Sequence, residues 1–206
     1  MNNSYKIILA SNSPRRKELL GGIDIPFEVR VIDGIDESYP DTLPTKDIAE
    51  YISKKKAVAY RQTMASDELV ITADTIVVLG SQVMGKPHNT DEACSMLRQL
   101  SGKTHQVITG VTLTTMERQV SFSVETDVTF KVLSDEEIEY YVSHYRPFDK
   151  AGAYGIQEWI GHIGVTGMSG SYFNVMGLPV QRIYEALKTI QNLERPQNNE
   201  DTLLYD

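Results

Sequence analysis

The sequence predicts an α/β or α+β protein. Strand-like and helix-like patterns alternate along the 206 residues, and no low-complexity linker separates them. Hydrophobic residues make up 41% of the chain, which suits one globular unit with a sizeable core. We therefore predict one domain over residues 1–193 and a polar tail over residues 194–206.

Near its start, the chain has an apolar strand at 6–10 that runs directly into a short helix. The turn between them carries Ser11 and Ser13. Ser13 is placed to cap the helix, and Pro14 suits its first position. A helix start offers free backbone N–H groups and the positive end of the helix dipole, which both favour a phosphate. This corner is therefore a candidate anion-binding site.

Two arginines, Arg15 and Arg16, occupy the first turn of this helix, and Gly21 and Gly22 end it. Guanidinium groups match phosphate oxygens with paired hydrogen bonds. The whole chain is acidic, with a formal net charge of -8, so basic residues gathered at one corner stand out against the background. The alternative is that both arginines are ordinary surface charges.

A second strand is expected at 27–32, followed by an acidic turn and a proline-bounded loop. In the turn, Asp36 and Glu37 offer hard oxygen ligands that suit Mg²⁺, although an exposed acidic turn without a ligand explains them equally well. A helix capped by Thr45 is expected next, ending near residue 60.

Helical phase separates the lysines of that helix. At roughly 100° per residue, Lys56 shares the apolar stripe of Ile48 and Ile52, whereas Lys54 points away. We therefore expect Lys56 to face the protein, where it either lies along an apolar wall or meets an anion. Lys54 is expected to be a solvated surface charge.

Asp74 interrupts an apolar, β-branched strand at 70–79 that is expected to be buried on both faces. An unpaired carboxylate there would cost several kcal/mol. Asp74 therefore needs a cation, a metal or a hydrogen-bond network, unless it lies at the end of the strand and faces a cleft. Neighbouring backbone N–H groups are the simpler alternative.

Lys86 follows in a loop that Gly85 and Pro87 stiffen, so its side chain is presented from a fixed backbone. An ordinary surface lysine is the alternative. Thr90 is expected to cap the next helix, in which Cys94 is interpreted as a buried structural thiol.

The remaining elements are two long strands, at 106–115 and 120–132, and two helices. The first of these helices opens with a capping box formed by Ser134 and Glu137. A glycine-punctuated tract at 149–170 separates it from a final amphipathic helix.

Composition and motifs argue against several classes of protein. An acidic chain has no basic domain of the kind that nucleic-acid-binding proteins use. No apolar run approaches membrane-spanning length, and no signal-peptide pattern is seen. The single Cys94 allows no intrachain disulfide, which predicts a cytoplasmic location. The sequence has no P-loop motif, and its four histidines show no zinc spacing.

Taken together, the motifs resemble those of the Maf family of nucleoside triphosphate pyrophosphatases over about residues 5–190. The motifs that agree in order and spacing are Ala10-Ser11-Asn12-Ser13-Pro14-Arg15-Arg16, Ala73-Asp74-Thr75, Gly85-Lys86-Pro87, Leu100-Ser101-Gly102-Lys103-Thr104-His105, Asp149-Lys150-Ala151-Gly152-Ala153-Tyr154-Gly155-Ile156-Gln157, Gly170-Ser171-Tyr172 and Gly177-Leu178-Pro179. Many ordered matches are far more specific than any one of them.

The resemblance implies an inosine-triphosphatase-like fold, that is, an α/β (α+β) fold with a mixed sheet flanked by helices and two lobes around a deep cleft. It also suggests a homodimer. It also implies hydrolysis between the α and β phosphates of a nucleoside triphosphate. The later motifs resemble the dTTP/UTP branch of the family. In that branch Asp74 matches the proton acceptor, and Arg15, Thr75 and Gln157 match the positions that set base specificity.

The leading hypothesis is a cytoplasmic, divalent-metal-dependent pyrophosphatase whose partner is a small molecule: dTTP, UTP or a modified pyrimidine triphosphate. Its phosphates would be held by cations, namely Arg15, Arg16, Lys56 and Lys86. Glu37 and Asp74 would hold Mg²⁺ or Mn²⁺, and Asp74 would also align or deprotonate the attacking water. Gln157 would read the base, because its amide supplies both a donor and an acceptor.

Two alternatives stay open. A nucleotide-binding regulator of cell division, without significant turnover, would share the cations but need no metal–water geometry. A house-cleaning enzyme of the same reaction type would act on a damaged nucleotide. The chain also departs from the branch in having Glu158-Trp159-Ile160 after Gln157, where glycine is frequent. Trp159 either stacks on a pyrimidine or belongs to the core.

Overall fold

A computed structural model describes residues 5–194 and shows one mixed, seven-stranded sheet with helices packed on both faces. The strands are β1 (Lys6–Leu9), β2 (Phe27–Val29), β3 (Glu68–Leu79), β4 (Gln82–Met84), β5 (Thr104–Thr114), β6 (Gln119–Phe130) and β7 (Val165–Ser169). The helices are α1 (Pro14–Gly21), α2 (Thr45–Arg61), α3 (Thr90–Leu100), α4 (Asp135–Tyr145), α5 (Trp159–Gly164), α6 (Tyr172–Met176) and α7 (Val180–Glu194). The predicted α/β class with a mixed sheet is confirmed.

The sheet combines a parallel edge with an antiparallel remainder. Its strands lie in the order β2-β1-β3-β5-β6-β7, and the short β4 pairs with β3. β1 is parallel to both β2 and β3, whereas the pairs β3–β5, β5–β6 and β6–β7 are antiparallel. Because β1 is parallel to β3, the end of β1 and the start of α1 lie beside the middle of β3.

One edge of β3 is only partly covered by neighbouring strands. β1 pairs with residues 68–71 and β4 with residues 77–79, while β5 covers the opposite edge from 70 to 78. Residues 72–76 therefore have no neighbouring strand on the β1 side within the described chain. Asp74 lies in the middle of this gap, which explains how a carboxylate is accommodated in an otherwise buried strand.

Helix α2 packs against one face of the sheet through a small cluster that includes Ile48 and Ile52. A Cβ added to Gly110 of β5 would lie 2.1 Å from the backbone nitrogen of Glu50, so only glycine allows the helix to come this close. The approach sets the height of α2 above the sheet. It therefore also sets the position of Lys56, which lies on the inward side of this helix.

The larger core lies on the opposite face, where α3, α4 and α7 bury Leu97, Tyr141 and Leu187. Cys94 of α3 is buried in the same core, which confirms that prediction. The helices on this face pack against the sheet and do not cover the β1 side of β3.

Helix caps were predicted with mixed success. Ser13 caps α1, and the capping box of α4 is present, so both predictions are confirmed. Thr45 is the first residue of α2 and follows Pro44, while Thr90 is the first residue of α3 and follows Asn89. Both threonine predictions were therefore wrong. Pro44 holds the N-cap position of α2 without a side-chain hydrogen bond, and at α3 the side chain of Asn89, a strong capping residue, accepts the hydrogen bond of the first turn.

β2 ends at Val29, earlier than the predicted residue 32, because a side chain replaces the neighbouring strand. The Tyr60 hydroxyl donates to the carbonyl of Arg30 at 2.9 Å and accepts from the amide of Ile32 at 2.9 Å. The backbone beyond β2 is thereby anchored to α2, close to the acidic turn that carries Glu37.

Two further sequence predictions concern the extent of the chain. None of the helices within residues 5–194 combines the length and the apolar character needed to cross a bilayer. The predicted tail lies outside the described residues, apart from Glu194. The domain boundary at 193 stays a prediction.

Candidate active site

Two adjoining cavities lie where α1, α2 and β3 meet. The first, here the Gln157 cavity, has a volume of about 130 Å³ and is lined by Asp74, Thr75 and Gln157 among others. The second, here the Ser11 cavity, has a volume of about 510 Å³, and Ser11 and Glu37 belong to its lining. Ligand pockets typically have volumes of about 300–1,000 Å³. The Ser11 cavity is large enough by itself for a small molecule, and the Gln157 cavity adds space beside it.

Except for Asp36, every site residue that the sequence predicts lines one or both of these cavities. Asp36 lines neither of them and pairs with Lys55 at 2.7 Å. Those that line both are Ser13, Arg15, Arg16, Lys56 and Lys86. Asp74, Thr75 and Gln157 line the Gln157 cavity only, and Ser11 and Glu37 line the Ser11 cavity only. The fold thus brings residues from distant parts of the chain to one hollow, while their individual roles stay predictions.

The turn into α1 is shaped by its own serines. Ser11 Oγ accepts a hydrogen bond from the amide of Ser13 at 3.2 Å, and Ser13 Oγ accepts one from the amide of Arg16 at 3.4 Å. Neither hydroxyl donates a hydrogen bond to another residue within 5–194. Both serines therefore keep a donor for an anion in the Ser11 cavity, which both of them line.

The Arg16 guanidinium is bound to the protein at three points. Nε donates to the carbonyl of Gly177 at 2.8 Å, Nη1 to the carbonyl of Ala73 at 2.8 Å, and Nη2 to Thr75 Oγ1 at 3.0 Å. Burial lowers the pKa of Arg16, and the negative charge of Asp74 opposes that shift. Two of its five N–H groups remain for the phosphates assigned to it, because the other three bond Gly177, the Ala73 carbonyl of β3 and the Thr75 hydroxyl.

Thr75 belongs to a directed chain of hydrogen bonds. Its hydroxyl accepts from Arg16 and lies 2.9 Å from Thr109 Oγ1, which in turn donates to the carbonyl of Asn174 at 3.1 Å. Thr75 is therefore the donor towards Thr109. Its orientation is fixed from both sides, and one lone pair of its oxygen is left for a ligand.

Lys56 joins the two predicted metal ligands. Its Nζ lies 2.8 Å from Asp74 Oδ1 and 2.9 Å from Glu37 Oε1. The Lys56 and Asp74 side chains are 13% and 14% exposed, whereas Glu37 is 53% exposed. The prediction that Lys56 faces the protein is confirmed. Of the two alternatives left open for its side chain, the structure shows contact with anions, and Asp74 has the cation that its burial requires. Lys54, as expected, lies at the surface, where it pairs with Glu50.

Glu37 is held in the ionised state by the cations around it. Burial raises the pKa of Glu37, but the hydrogen bond and charge of Lys56, together with Lys86 and Arg16, outweigh burial and lower it. Lys86 is exposed, lines both cavities and makes no hydrogen bond or ion pair with residues 5–194. Its ammonium is therefore free to meet a ligand that brings its own negative charge.

Gln157 contributes an unused acceptor to the site. Its Oε1 is buried and has no hydrogen-bond partner among residues 5–194, although the residue lines the Gln157 cavity. A buried amide oxygen without a partner is costly, so a ligand that donates to it would recover that cost. Near it, Tyr154 forms part of the cavity wall and is fixed by a 2.7 Å hydrogen bond to His105.

Sequence reasoning missed the ion pairs that surround Arg15. Arg15 Nη1 lies 2.9 Å from Asp149 Oδ2, and Lys150 Nζ lies 2.7 Å from Asp149 Oδ1 and 3.1 Å from Glu158 Oε1. Burial raises the pKa of Asp149, but its bonds to Lys150 and Arg15 outweigh burial and lower it. The signal was the Asp149-Lys150 pair at the start of a motif, to which no role had been given.

Trp159 belongs to the core. It begins α5, packs against the large core and lies 4.8 Å from the ring of Tyr140, and it lines neither cavity. The sequence left open whether Trp159 stacks on a pyrimidine or belongs to the core, and the structure supports the core. The indole in the segment after Gln157, where glycine is frequent in the branch, is therefore not part of the cavity wall.

A mixed sheet with a cation-lined hollow beside an open strand edge defines an α/β protein with a candidate anion-binding site. The model of the family described as Maf-like protein matches residues 6–190. The chain belongs to this family, and the resemblance seen in its motifs is confirmed.

Several known proteins are similar to this chain over most of its length. A dTTP/UTP pyrophosphatase from Phocaeicola vulgatus is 68% identical over 186 residues, which cover 90% of this chain and 96% of the relative. A dTTP/UTP pyrophosphatase from Parabacteroides distasonis is 61% identical over 184 residues, covering 89% of this chain and 95% of the relative. A solved structure of a HAM1 protein from Coxiella burnetii covers 91% of this chain and 99% of that chain, with 14% identity and a TM-score of 0.44.

Proposed function

We propose that this protein is a nucleoside triphosphate pyrophosphatase that hydrolyses dTTP and UTP, and modified pyrimidine triphosphates, to the monophosphate and pyrophosphate. The relatives from Phocaeicola vulgatus and Parabacteroides distasonis are named dTTP/UTP pyrophosphatases, which supports the dTTP and UTP part of the proposal. The observation that carries the proposal is the position of Lys56, which holds Asp74 and Glu37 at the junction of two cavities. One cavity offers cations for a polyphosphate, and the other offers the free amide oxygen of Gln157 for a base.

The triphosphate would lie along the Ser11 cavity and its junction with the Gln157 cavity. Arg15, Lys56 and Lys86 reach this junction from three different elements, and Arg16 has two donors left there. Preorganised cations of this kind stabilise charge that develops on the phosphoryl oxygens and on the departing pyrophosphate. The hydroxyls of Ser11 and Ser13 add neutral donors at the start of α1.

Asp74 is placed to accept the proton of the attacking water. Lys56 binds its Oδ1, while Oδ2 accepts no hydrogen bond from residues 5–194. A water held by Oδ2 would attack the α-phosphorus, the bond from that phosphorus to the bridging oxygen would break, and pyrophosphate would leave. The proton released by the water would pass to Asp74, which Lys56 holds in position.

The residues present fit a divalent cation that the substrate helps to bind. Two carboxylates, Asp74 and Glu37, contact the same ammonium, whereas no group of three His, Cys, Asp or Glu side chains suited to a metal occurs within the described residues. Mg²⁺ is commonly bound by one or two carboxylates together with phosphate oxygens and water. When bound here, Mg²⁺ or Mn²⁺ would neutralise negative charge on the phosphates.

Base selection would depend on Gln157. The unpaired Oε1 is an acceptor, which matches the N3–H donor of uracil and thymine, and Nε2 can donate to a neighbouring carbonyl of the base. Cytosine carries no hydrogen at N3 in its neutral form, so it would leave Oε1 unpaired at that position. A buried polar group left unpaired is an effective means of rejecting the wrong ligand.

The full-length protein should be incubated with dTTP, UTP, dCTP, dATP, GTP and 5-methyl-UTP, with Mg²⁺ or Mn²⁺ and with EDTA. Nucleoside monophosphate and pyrophosphate should appear in equal amounts, fastest with dTTP and UTP, and EDTA should abolish their release. Tight binding without release would instead favour the regulator, and a faster reaction with 5-methyl-UTP would favour the house-cleaning role. Release of inorganic phosphate and a diphosphate would contradict the proposal.

The remaining proposals concern location and partners. We place the protein in the cytoplasm because its one cysteine, Cys94, is a buried thiol. The homodimer and the lack of nucleic-acid and membrane partners stay predictions. Sedimentation of the purified protein would test the first of these directly.

A further inference from the structure

The residue expected to read the base sits in a turn that one buried hydroxyl holds at both ends. Tyr141 is wholly buried on α4, far along the chain from the phosphate-binding corner. Its hydroxyl accepts a hydrogen bond from the amide of Gly155 at 3.0 Å and donates one to Glu158 Oε2. Gly155 and Glu158 are the first and last residues of the turn that carries Gln157.

The turn is tight and has little freedom of its own. The amide of Glu158 donates to the carbonyl of Gly155 at 3.0 Å, which closes it. A Cβ added to Gly155 would lie 2.8 Å from Glu158 Cδ and 3.1 Å from Gln157 Nε2. The side chains of Gln157 and Glu158 therefore fold back over Gly155, so a shift of this backbone moves the amide of Gln157.

The same hydroxyl is connected to the phosphate side of the site. Glu158 Oε1 lies 3.1 Å from Lys150 Nζ, which lies 2.7 Å from Asp149 Oδ1. The second oxygen of Asp149 lies 2.9 Å from Arg15 Nη1. Negative and positive charges alternate along this chain, and it begins at the Tyr141 hydroxyl.

We propose that Tyr141 is a positioning residue for base specificity, which fixes the turn at 155–158 so that the Gln157 amide and the Arg15 guanidinium keep one relative geometry. This inference rests on the proposed function. Tyr141 itself lines neither cavity, so its role is to position other residues and not to bind the nucleotide. It acts because Gln157 Oε1 has no hydrogen-bond partner among the described residues, so the backbone of the turn decides where that oxygen points.

The test is Tyr141→Phe, which removes one oxygen atom and keeps the ring in the core. We expect the ratio of kcat/KM for dTTP over dCTP to fall roughly tenfold, since loss of the anchor lets the reading amide move. The KM for dTTP should rise, and kcat should change far less. A role in stability alone would lower the active fraction equally for both nucleotides and leave the ratio unchanged.

The neighbouring tyrosine supplies a matched control. Tyr140 is exposed, and its hydroxyl makes no hydrogen bond with residues 5–194, so Tyr140→Phe should leave the ratio unchanged. If Tyr141→Phe does not fold, Glu158→Gln replaces it, because this change weakens the same anchor and the link to Lys150. It should lower the ratio in the same direction.

The outcomes distinguish a failure of the proposed function from a failure of the role given to Tyr141. Wild-type protein that releases no pyrophosphate would contradict the proposed function itself. Active wild-type protein together with a folded Tyr141→Phe variant whose nucleotide ratio is unchanged would overturn the role of Tyr141 alone.

Discussion

Lys56 Nζ lies 2.8 Å from Asp74 Oδ1, at the point where no strand within residues 5–194 pairs with one edge of β3. The pair is largely buried, and each charge offsets the cost of burying the other. The ammonium binds one carboxylate oxygen, and the other accepts no hydrogen bond from the part of the chain that the structure describes. A buried but half-occupied carboxylate is suited to managing a proton during a reaction.

Asp74→Asn should separate binding from turnover. The substitution keeps the size of the side chain but removes the basic oxygen, so we expect kcat to fall by about 10²–10⁴-fold while dTTP is still bound. Pyrophosphate release measures the first effect, and titration calorimetry measures the second. Asp67→Asn is the matched control, since Asp67 is exposed just before β3. Full hydrolysis by the Asp74 variant would remove this residue from the chemistry.

Arg15 and Arg16 are adjacent in sequence but should differ in what they stabilise. Arg16→Lys loses a planar group that bonds Gly177, Ala73 and Thr75, and we expect it to lower the free energy of unfolding by about 2–3 kcal/mol. Arg15→Lys can keep its ion pair with Asp149 and should cost less than about 1 kcal/mol.

Urea unfolding of both arginine variants at neutral pH measures this difference. Equal losses of stability in the two variants would show that the three contacts of Arg16 contribute no more to the free energy of unfolding than the ion pair of Arg15 does. The same preparations, assayed for pyrophosphate release, should show Arg15→Lys reduced in activity although it is stable, because Arg15 lines both cavities.

The acid stability of the fold should depend on Glu68. Hydrogen bonds from Arg30, opposed by burial and assisted by the amide of Ala65, lower the pKa of Glu68 from 4.5 to about 2. Because the folded state lowers this pKa, the stabilisation is complete above pH 4.5 and is lost as the pH falls towards 2. Glu68→Gln should therefore cost about 1.5–3 kcal/mol at pH 7 and progressively less below pH 4.5.

Urea titrations of wild type and Glu68→Gln between pH 7 and pH 3 would measure this dependence. Glu28→Gln serves as the control, since Glu28 forms an exposed pair with Lys6 and should contribute little at any pH. A constant difference between wild type and Glu68→Gln over the whole range would contradict the assignment.

The sequence could predict those parts of the site that one element determines by itself. The helical phase of α2 was sufficient to predict that Lys56 faces the protein. The position of Asp74 inside a buried strand was sufficient to predict that this carboxylate needs a partner. Neither pattern could identify the partner, because the Lys56–Asp74 contact depends on how closely α2 approaches the sheet. That distance is set by Gly110 on a third element, β5.

Contacts between distant elements explain what the sequence did not predict. In the sequence, Tyr141 is one aromatic residue of an amphipathic helix among several. Its hydroxyl makes its two hydrogen bonds only because α4 packs against the turn at 155–158. Arg16 was assigned to phosphates, yet three of its donors bond the protein, because the open edge of β3 lies beside it. Strand pairing decides where such an edge occurs, and local patterns do not report it.

Gln157→Leu should change which nucleotide is preferred more than it changes the rate on the best one. Leucine fills a similar volume but offers no donor or acceptor, so the N3–H of thymine would be buried without a partner. We expect the preference for dTTP over dCTP, measured as the ratio of kcat/KM, to fall by roughly 10–100-fold. Gln181→Leu, at an exposed position of α7, controls for the loss of a surface amide. An unaltered ranking of the triphosphates would mean that the free oxygen of Gln157 does not read the base, and that the cavity selects nucleotides by shape alone.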